Sequence, residues 1–105
     1  MKRGEIWMAD MGSLGKVRPV LVISIPFNEE ERTIVSFVPR TTSVWGNGRF
    51  DVPHKARGMK DGAFAVQLVG SLPKVKLIRK LSTVSDETLE EVEVALKRWL
   101  GFSAF

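Results

Sequence analysis

Two polar clusters beside apolar runs are the residues best placed for chemistry. Arg18 stands next to Pro19 inside residues 17–25, a stretch that is otherwise β-branched and apolar. Arg40, Thr41, Thr42 and Ser43 follow directly on Val38 and Pro39. A guanidinium is always charged and can grip two phosphate oxygens at once. It is also costly to bury unless an anion meets it. An Arg sharing a pocket with hydroxyls therefore suits the handling of a phosphate. Each cluster has a plainer reading too. Arg18 can form a salt bridge to Asp10 or Glu5 on a neighbouring strand, and the Thr-Thr-Ser run can be a turn whose hydroxyls bond backbone.

Other chemistries lack their residues. The chain has no Cys, which excludes a disulfide framework, a thiolate metal site and a cysteine nucleophile. With one His, His54, no His-based zinc site is expected. Neither a metal nor a cofactor is implied. Lys16, preceded by Gly12 and Gly15, does not follow phosphate-loop spacing, and no helix comes after it. His54 follows Pro53 and leads into a basic loop that carries Lys55, Arg57 and Lys60. It titrates in a range useful to catalysis, although a lone surface His is more often inert.

The elements that must position these groups are mostly strands. At 105 residues, 44% hydrophobic and 27% charged, the chain is read as one globular domain spanning residues 1–105. Strands are predicted at residues 5–10, 17–25, 33–38, 49–52, 64–69 and 75–81, with loops at 39–48, 54–62 and 70–73. Pro19 needs an edge, a bulge or a strand start. One helix is predicted near the C-terminus. Ser85 caps it, Asp86 and Glu87 sit in its first turn, and Gly101 ends it. Leu89, Val92, Leu96, Trp99 and Leu100 lie on one face, and Glu93 and Lys97 are spaced as an ion pair. The fold class is mainly β (α+β): a small barrel of five to seven strands with a helix packed on it. No apolar run approaches the roughly 20 residues that span a membrane, and the start lacks the apolar core of a signal peptide, so the cytoplasm is expected. Net charge is +4. Residues 85–101 hold five acids against two bases, and the remainder holds fourteen bases against seven acids. The body is basic enough to attract a polyanion.

Three runs carry a resemblance: Arg3-Gly4-Glu5-Ile6-Trp7, then Arg18-Pro19-Val20-Leu21-Val22-Ile23-Ser24, then Val38-Pro39 with Thr41. In order and spacing they resemble the MazF/PemK/Kid family of toxin endoribonucleases, over roughly residues 2 to 102. The resemblance implies an SH3-like barrel, usually dimeric, that cuts single-stranded RNA without a metal and uses the substrate's ribose 2′-OH as nucleophile. It gives Arg18 the scissile phosphate and makes Thr41 the catalytic hydroxyl, with Thr42 as competitor. The general base is left among Glu5, Asp10 and His54. Candidate RNA contacts are Lys16, Arg40, Thr42, Ser43, Lys55, Arg57, Lys60 and Gln67. An acidic antitoxin is the implied protein partner. A homodimer is expected, with Trp45, Phe50 and Phe64 leaving apolar surface to cover. The sequence departs from the family in two places. Its first loop is about five residues shorter than the family's usual run before Arg18-Pro19. Residues 67–73 also lack the Arg and Asp that many members carry there. Two other readings stand beside this one: a non-catalytic RNA- or protein-binding relative, and a protein–protein inhibitor of a DNA enzyme acting through Trp99 to Phe102.

If the basic loop forms the rim of an RNA groove, affinity for a labelled single-stranded RNA should fall with salt. About four phosphate contacts give a slope near −3 in log K against log salt. Changing Lys55, Arg57 and Lys60 together to Ala should flatten that slope, and an unchanged slope and affinity would make the loop a bystander.

Overall fold

Apolar runs become strands wherever a neighbour is available to pair with them, and the neighbours are set by the order of the hairpins. A computed structural model describes residues 1–12, 16–42 and 48–102. Strands β1 (Glu5–Asp10) and β2 (Val17–Val22) form an antiparallel hairpin with Ile6 opposite Leu21 and Ala9 opposite Arg18. Strand β3 (Ile34–Thr41) pairs with β2 through Val20–Pro39, Leu21–Val38 and Val22–Phe37. The other edge of β3 is divided between two partners. Strand β6 (Gly70–Pro73) takes residues 34–37, β5 (Gly62–Ala65) takes residues 40–41, and Val38 and Pro39 fall in the gap between them. Strand β4 (Asp51–His54) pairs with β5, and β7 (Leu77–Thr83) pairs with β1. The seven strands among the described residues form one sheet in the order β4-β5-β3-β2-β1-β7, with β6 beside β3.

Short 3₁₀ turns at Val66–Leu68 and Lys74–Lys76 redirect the chain into β6 and then β7. Two one-residue slips in the pairing of β1 with β7 add local twist. The bent sheet covers two cores. Ile6, Leu21 and Val38 meet Phe50, Val52, Phe64 and Val66 on one face, and Ala9, Val20 and Phe37 pack on the other. Helix α1 (Asp86–Leu100) closes the first core with Val92 and Ala95. Its start and stop follow the sequence reading. Ser85 Oγ accepts from the Thr88 amide at 3.1 Å, and Gly101 adopts the left-handed conformation at φ 76°.

The expected mainly β fold with a C-terminal helix is the fold observed, with several boundaries moved. Strand β2 stops at Val22. Only its residues 20–22 are fully buried, because β3 covers it from Val20 onward; Val17 and Arg18 are exposed. Residues 39–41, read as loop, extend β3, and residues 70–73, also read as loop, are β6. The strand expected at 49–52 lies at 51–54, and the one expected at 64–69 lies at 62–65 before a 3₁₀ turn. Phe50 and Phe64 belong to the core instead of the surface, and Trp45 lies outside the described residues. Trp99 stacks 5.4 Å from the Phe50 ring yet stays 42% exposed. Glu93 pairs with Arg3 across the fold, not with Lys97.

The Arg-Gly-Glu-Ile-Trp run works as a clasp. Arg3 donates to the Ile23 carbonyl and pairs with Glu93 of α1. Gly4, at φ +88°, donates to the Val22 carbonyl and accepts from the Val84 amide, joining β2 to the segment before the helix. Ile6 is fully buried.

Gly62 opens β5 where the backbone passes close to β3. A Cβ there would lie 2.5 Å from the Thr41 carbonyl oxygen and 2.8 Å from Arg40 Nη1. Gly62→Ala should therefore destabilise the fold by about 1–3 kcal/mol, the usual cost of overpacking. Urea unfolding checks this, and an unchanged midpoint would show that β5 and Arg40 can move apart freely.

Candidate functional site

One rim of the sheet gathers most of the candidate residues. The end of β1, the start of β2, the end of β3 and the connection from β4 to β5 all meet there. Paired residues of β2 and β3 keep one register from Val22–Phe37 to Val20–Pro39. The pairing ends there; the same register, continued by two residues, would bring Arg18 level with Thr41. Opposite residues in an antiparallel pair share a face, so both belong to the face of Val20 and Phe37.

Arg18 is exposed and forms neither of the salt bridges considered for it. Asp10 stands opposite Val17, so alternation turns it to the other face; its carboxylate instead meets Lys76 Nζ at 3.9 Å and accepts from the Gly12 amide at 2.9 Å. Glu5 lies at the far end of β1 and is held by the Trp7 indole N–H at 3.0 Å, Lys80 Nζ at 3.0 Å and the Lys2 amide at 2.8 Å. The Trp7 bond is the largest cause of a pKa lowered to about 2; the bonds from Lys80 and Lys2 add to it, and burial opposes it. A carboxylate held so acidic makes a weak proton acceptor near neutrality.

On the opposite face, a groove of about 400 Å³ runs past Met8, Pro19, Thr42, Arg57, Lys60 and Arg79. Arg40 forms part of its wall, and no carboxylate lines it among the described residues. Thr42, Arg57 and Lys60 are exposed there as RNA contacts would be. Arg79, opposite Met8 on β7, belongs to the groove and was missed by the sequence reading. Its signal was available: it is a cation in an amphipathic strand one register step from β1. Lys55 is exposed and bridges to Asp61 at 3.7 Å. Lys16 is exposed, and its carbonyl accepts from the Met11 amide to close the first hairpin. Gln67 is exposed on the 3₁₀ turn beyond β5, at the end of that strand away from the rim. Ser43 lies outside the described residues.

Two candidates sit differently from their sequence reading. Arg40, expected to reach RNA, is only 4% exposed, and its guanidinium turns inward to donate to His54 Nδ1 at 2.8 Å and to the Lys60 carbonyl at 2.7 Å. His54, expected on a surface loop as a possible base, is buried at the end of β4 with its ring 4.8 Å from that of Phe64. Burial and then the Arg40 charge push its pKa below the ordinary imidazole value. Its Nδ1 lone pair is engaged in accepting from Arg40, which leaves that nitrogen unavailable as a base.

The model of the PemK-like, MazF-like toxins of type II toxin–antitoxin systems matches residues 2–100. The chain belongs to this family. Solved structures agree in fold. An endoribonuclease in complex with its cognate antitoxin, from a mycobacterial species, is 22% identical with TM-score 0.82, covering 97% of this chain and 96% of its own. A MazE–MazF complex from Deinococcus radiodurans gives TM-score 0.82 at 22% identity over 98% and 97%. The Mycobacterium tuberculosis toxin MazF-mt6 gives 0.78 at 21% over 92% and 96%. The MazF-like resemblance read from the three sequence runs is thus borne out. In this MazF-like chain the first run closes the fold, while the second and third run to the rim.

Glu5 should make the clasp sensitive to acid. Its folded pKa lies below its ordinary value, so its contribution is complete above about pH 4.5 and is lost as pH falls toward 2. Glu5→Gln should cost about 1–3 kcal/mol at pH 7, the range for disturbing a buried hydrogen-bonded group, and little at pH 2.5. Thermal melts across that range test this; parallel losses for variant and parent would remove Glu5 from the account.

Proposed function

We propose that this chain is the endoribonuclease toxin of a toxin–antitoxin pair, cutting single-stranded RNA without a metal. The observation that carries the reading is a basic groove, free of carboxylates among the described residues, at the rim where the start of β2 carries Arg18 and the end of β3 carries Thr41. RNA brings its own nucleophile. The substrate 2′-OH attacks the adjacent phosphorus, the 5′ oxygen of the next nucleotide leaves, and a cyclic phosphate remains. The protein has to hold the phosphate in line and stabilise the charge that builds on its oxygens. Arg18 supplies the two-pronged charge, and Thr41 orients the phosphate. The 2′ proton goes to a base, and the leaving oxygen takes one up. Glu5, His54 and Asp10 are all engaged in internal contacts, and Asp10 also faces away from Arg18 and Thr41, so none of the three is assigned as the base.

Thr42, Arg57 and Lys60, with Arg79, contact phosphates along the groove, and the acidic tail of an antitoxin competes for the same cations. The endoribonuclease–antitoxin and MazE–MazF complexes of similar fold support that partner. We read the toxin as a homodimer. Exposed Trp99, Leu100 and Phe102 offer apolar surface for a second copy, in place of the buried Phe50 and Phe64. Among the described residues no helix is long and apolar enough to cross a membrane, and the proposed compartment is the cytoplasm.

Purified protein mixed with labelled single-stranded RNA in excess EDTA should cut it. Binding without cutting would identify a non-catalytic relative, and neither would favour a protein–protein inhibitor. Arg18→Ala should lower cleavage by roughly 100-fold or more, the scale of losing one donor to a developing oxyanion. RNA affinity should fall far less, Arg18→Lys should rescue poorly, and Thr41→Ala should slow cutting more than Thr42→Ala. An Arg18→Ala protein that melts normally and cuts at the parental rate would sink the assignment.

A further inference from the structure

The segment between β4 and β5 carries the groove's Arg57 and Lys60, yet its own ion pair, Lys55 with Asp61, is exposed and weak. What anchors it lies underneath. Arg40, arriving on β3, donates through Nε to His54 Nδ1 at 2.8 Å and through Nη2 to the His54 carbonyl at 3.0 Å and the Lys60 carbonyl at 2.7 Å. One buried guanidinium therefore holds both ends of the 55–61 loop. Phe64 covers the imidazole, and Gly62 leaves room for the guanidinium.

We infer that the buried Arg40–His54 couple is a positioning device that holds the 55–61 loop, and with it Arg57 and Lys60, in the conformation that binds RNA. This rests on the RNA reading of the groove given above. Arg40 and His54 are then positioning residues, not catalytic ones. The bond requires a neutral imidazole with its proton on Nε2, because protonation places a second N–H on the nitrogen that Arg40 already approaches. Among the described residues the charge that acts on the ring is that of Arg40 from β3; Asp61, on the loop, acts on Arg40 and is shared with Lys55, and β5 sets the uncharged Phe64 against the ring. A protonated His54 would meet the Arg40 cation with no carboxylate of its own. The depressed pKa agrees with this. Relative to the unfolded chain, stability from the neutral ring is complete above the ordinary imidazole pKa and is lost as pH falls toward the lower folded value.

The test uses two variants of the full chain. In His54→Asn, Oδ1 takes the place of Nδ1 as acceptor and does not titrate; His54→Leu keeps the bulk and removes the acceptor. The probe is a fluorescein-labelled single-stranded RNA. His54→Leu should weaken binding roughly tenfold and make the salt slope shallower by about 1.4, the value for two lost single-strand contacts. In an Arg57→Ala/Lys60→Ala background it should cause no further loss, since the contacts it positions are already gone. His54→Asn should restore binding. Amide protection factors over residues 55–61 should drop between pH 7.5 and 5.5 in the parent and stay level in His54→Asn. Parental affinity and slope in His54→Leu, or the same tenfold loss in the double-Ala background, would overturn the inference. If the parent does not bind RNA, the functional reading fails, and the protection factors still decide the couple: loss in His54→Leu supports it and no change overturns it. If His54→Leu does not fold, the comparison of pH profiles decides, and identical profiles in parent and His54→Asn overturn it.

Discussion

The pairing of Val20 with Pro39 is the constraint on which the arrangement of this molecule depends. A slip of one residue between β2 and β3 would set Leu21 and Val38 on opposite faces and drive one of them out of the first core. Leu21 and Val38 are fully buried in one cluster with Phe64 and Ile6, so the core enforces the register. Two prolines shape the same region. Pro19 lies where β2 has β1 as its partner and β3 has not yet joined, and Pro39 lies where β3 changes partner from β6 to β5. A residue without an N–H is tolerated best at such breaks in the ladder.

Alternation then gives the rim two different faces. Odd and even residues of the same strand ends face opposite ways, so Arg18 and Thr41 share one face, and Pro19 and Arg40 border the groove on the other. A strand of RNA passing over the rim would meet the guanidinium and hydroxyl on one side and the cations of the groove on the other. On the proposed reading, this division lets substrate binding and phosphate chemistry draw on different side chains of the same two strands.

How much of this was legible in the sequence depended on how local each cause is. The helix was readable because its cap, first-turn acids and terminal glycine act within a few residues. The Gly70–Pro73 strand was not, because it is a strand only through β3, which lies over thirty residues away; Ser36 and Ser71, whose hydroxyls meet at 2.9 Å, share nothing in local sequence. Arg18 was expected to need an anion because its neighbours are apolar. It is exposed instead, since β3 stops covering β2 two residues earlier. The reverse holds for Arg40, whose polar surroundings in sequence suggested a surface position. Two of its three described acceptors are main-chain carbonyls, and no pattern of side chains announces those. Phe50 and Phe64 looked like surface because loops adjoin them, while pairing of β5 with β3 and β4 buries Phe64, and Phe50, in the turn before β4, packs into the first core beside Trp99.

The clasp at the N-terminus has a consequence for how the chain comes to be folded. Arg3 finds its carboxylate partner ninety residues later on α1, and β1 completes its pairing only with β7, where Glu5 stands opposite Thr83. These are contacts of very long sequence separation, the kind that slows folding and makes closure a late event. A nascent chain emerging N-terminus first can form the β1–β2–β3 meander early, but β1 keeps one open edge until the last quarter of the sequence is free. The rim's strands are thus assembled before the molecule is locked. Closure of the domain waits on β7 and α1, which follow every other described element in chain order.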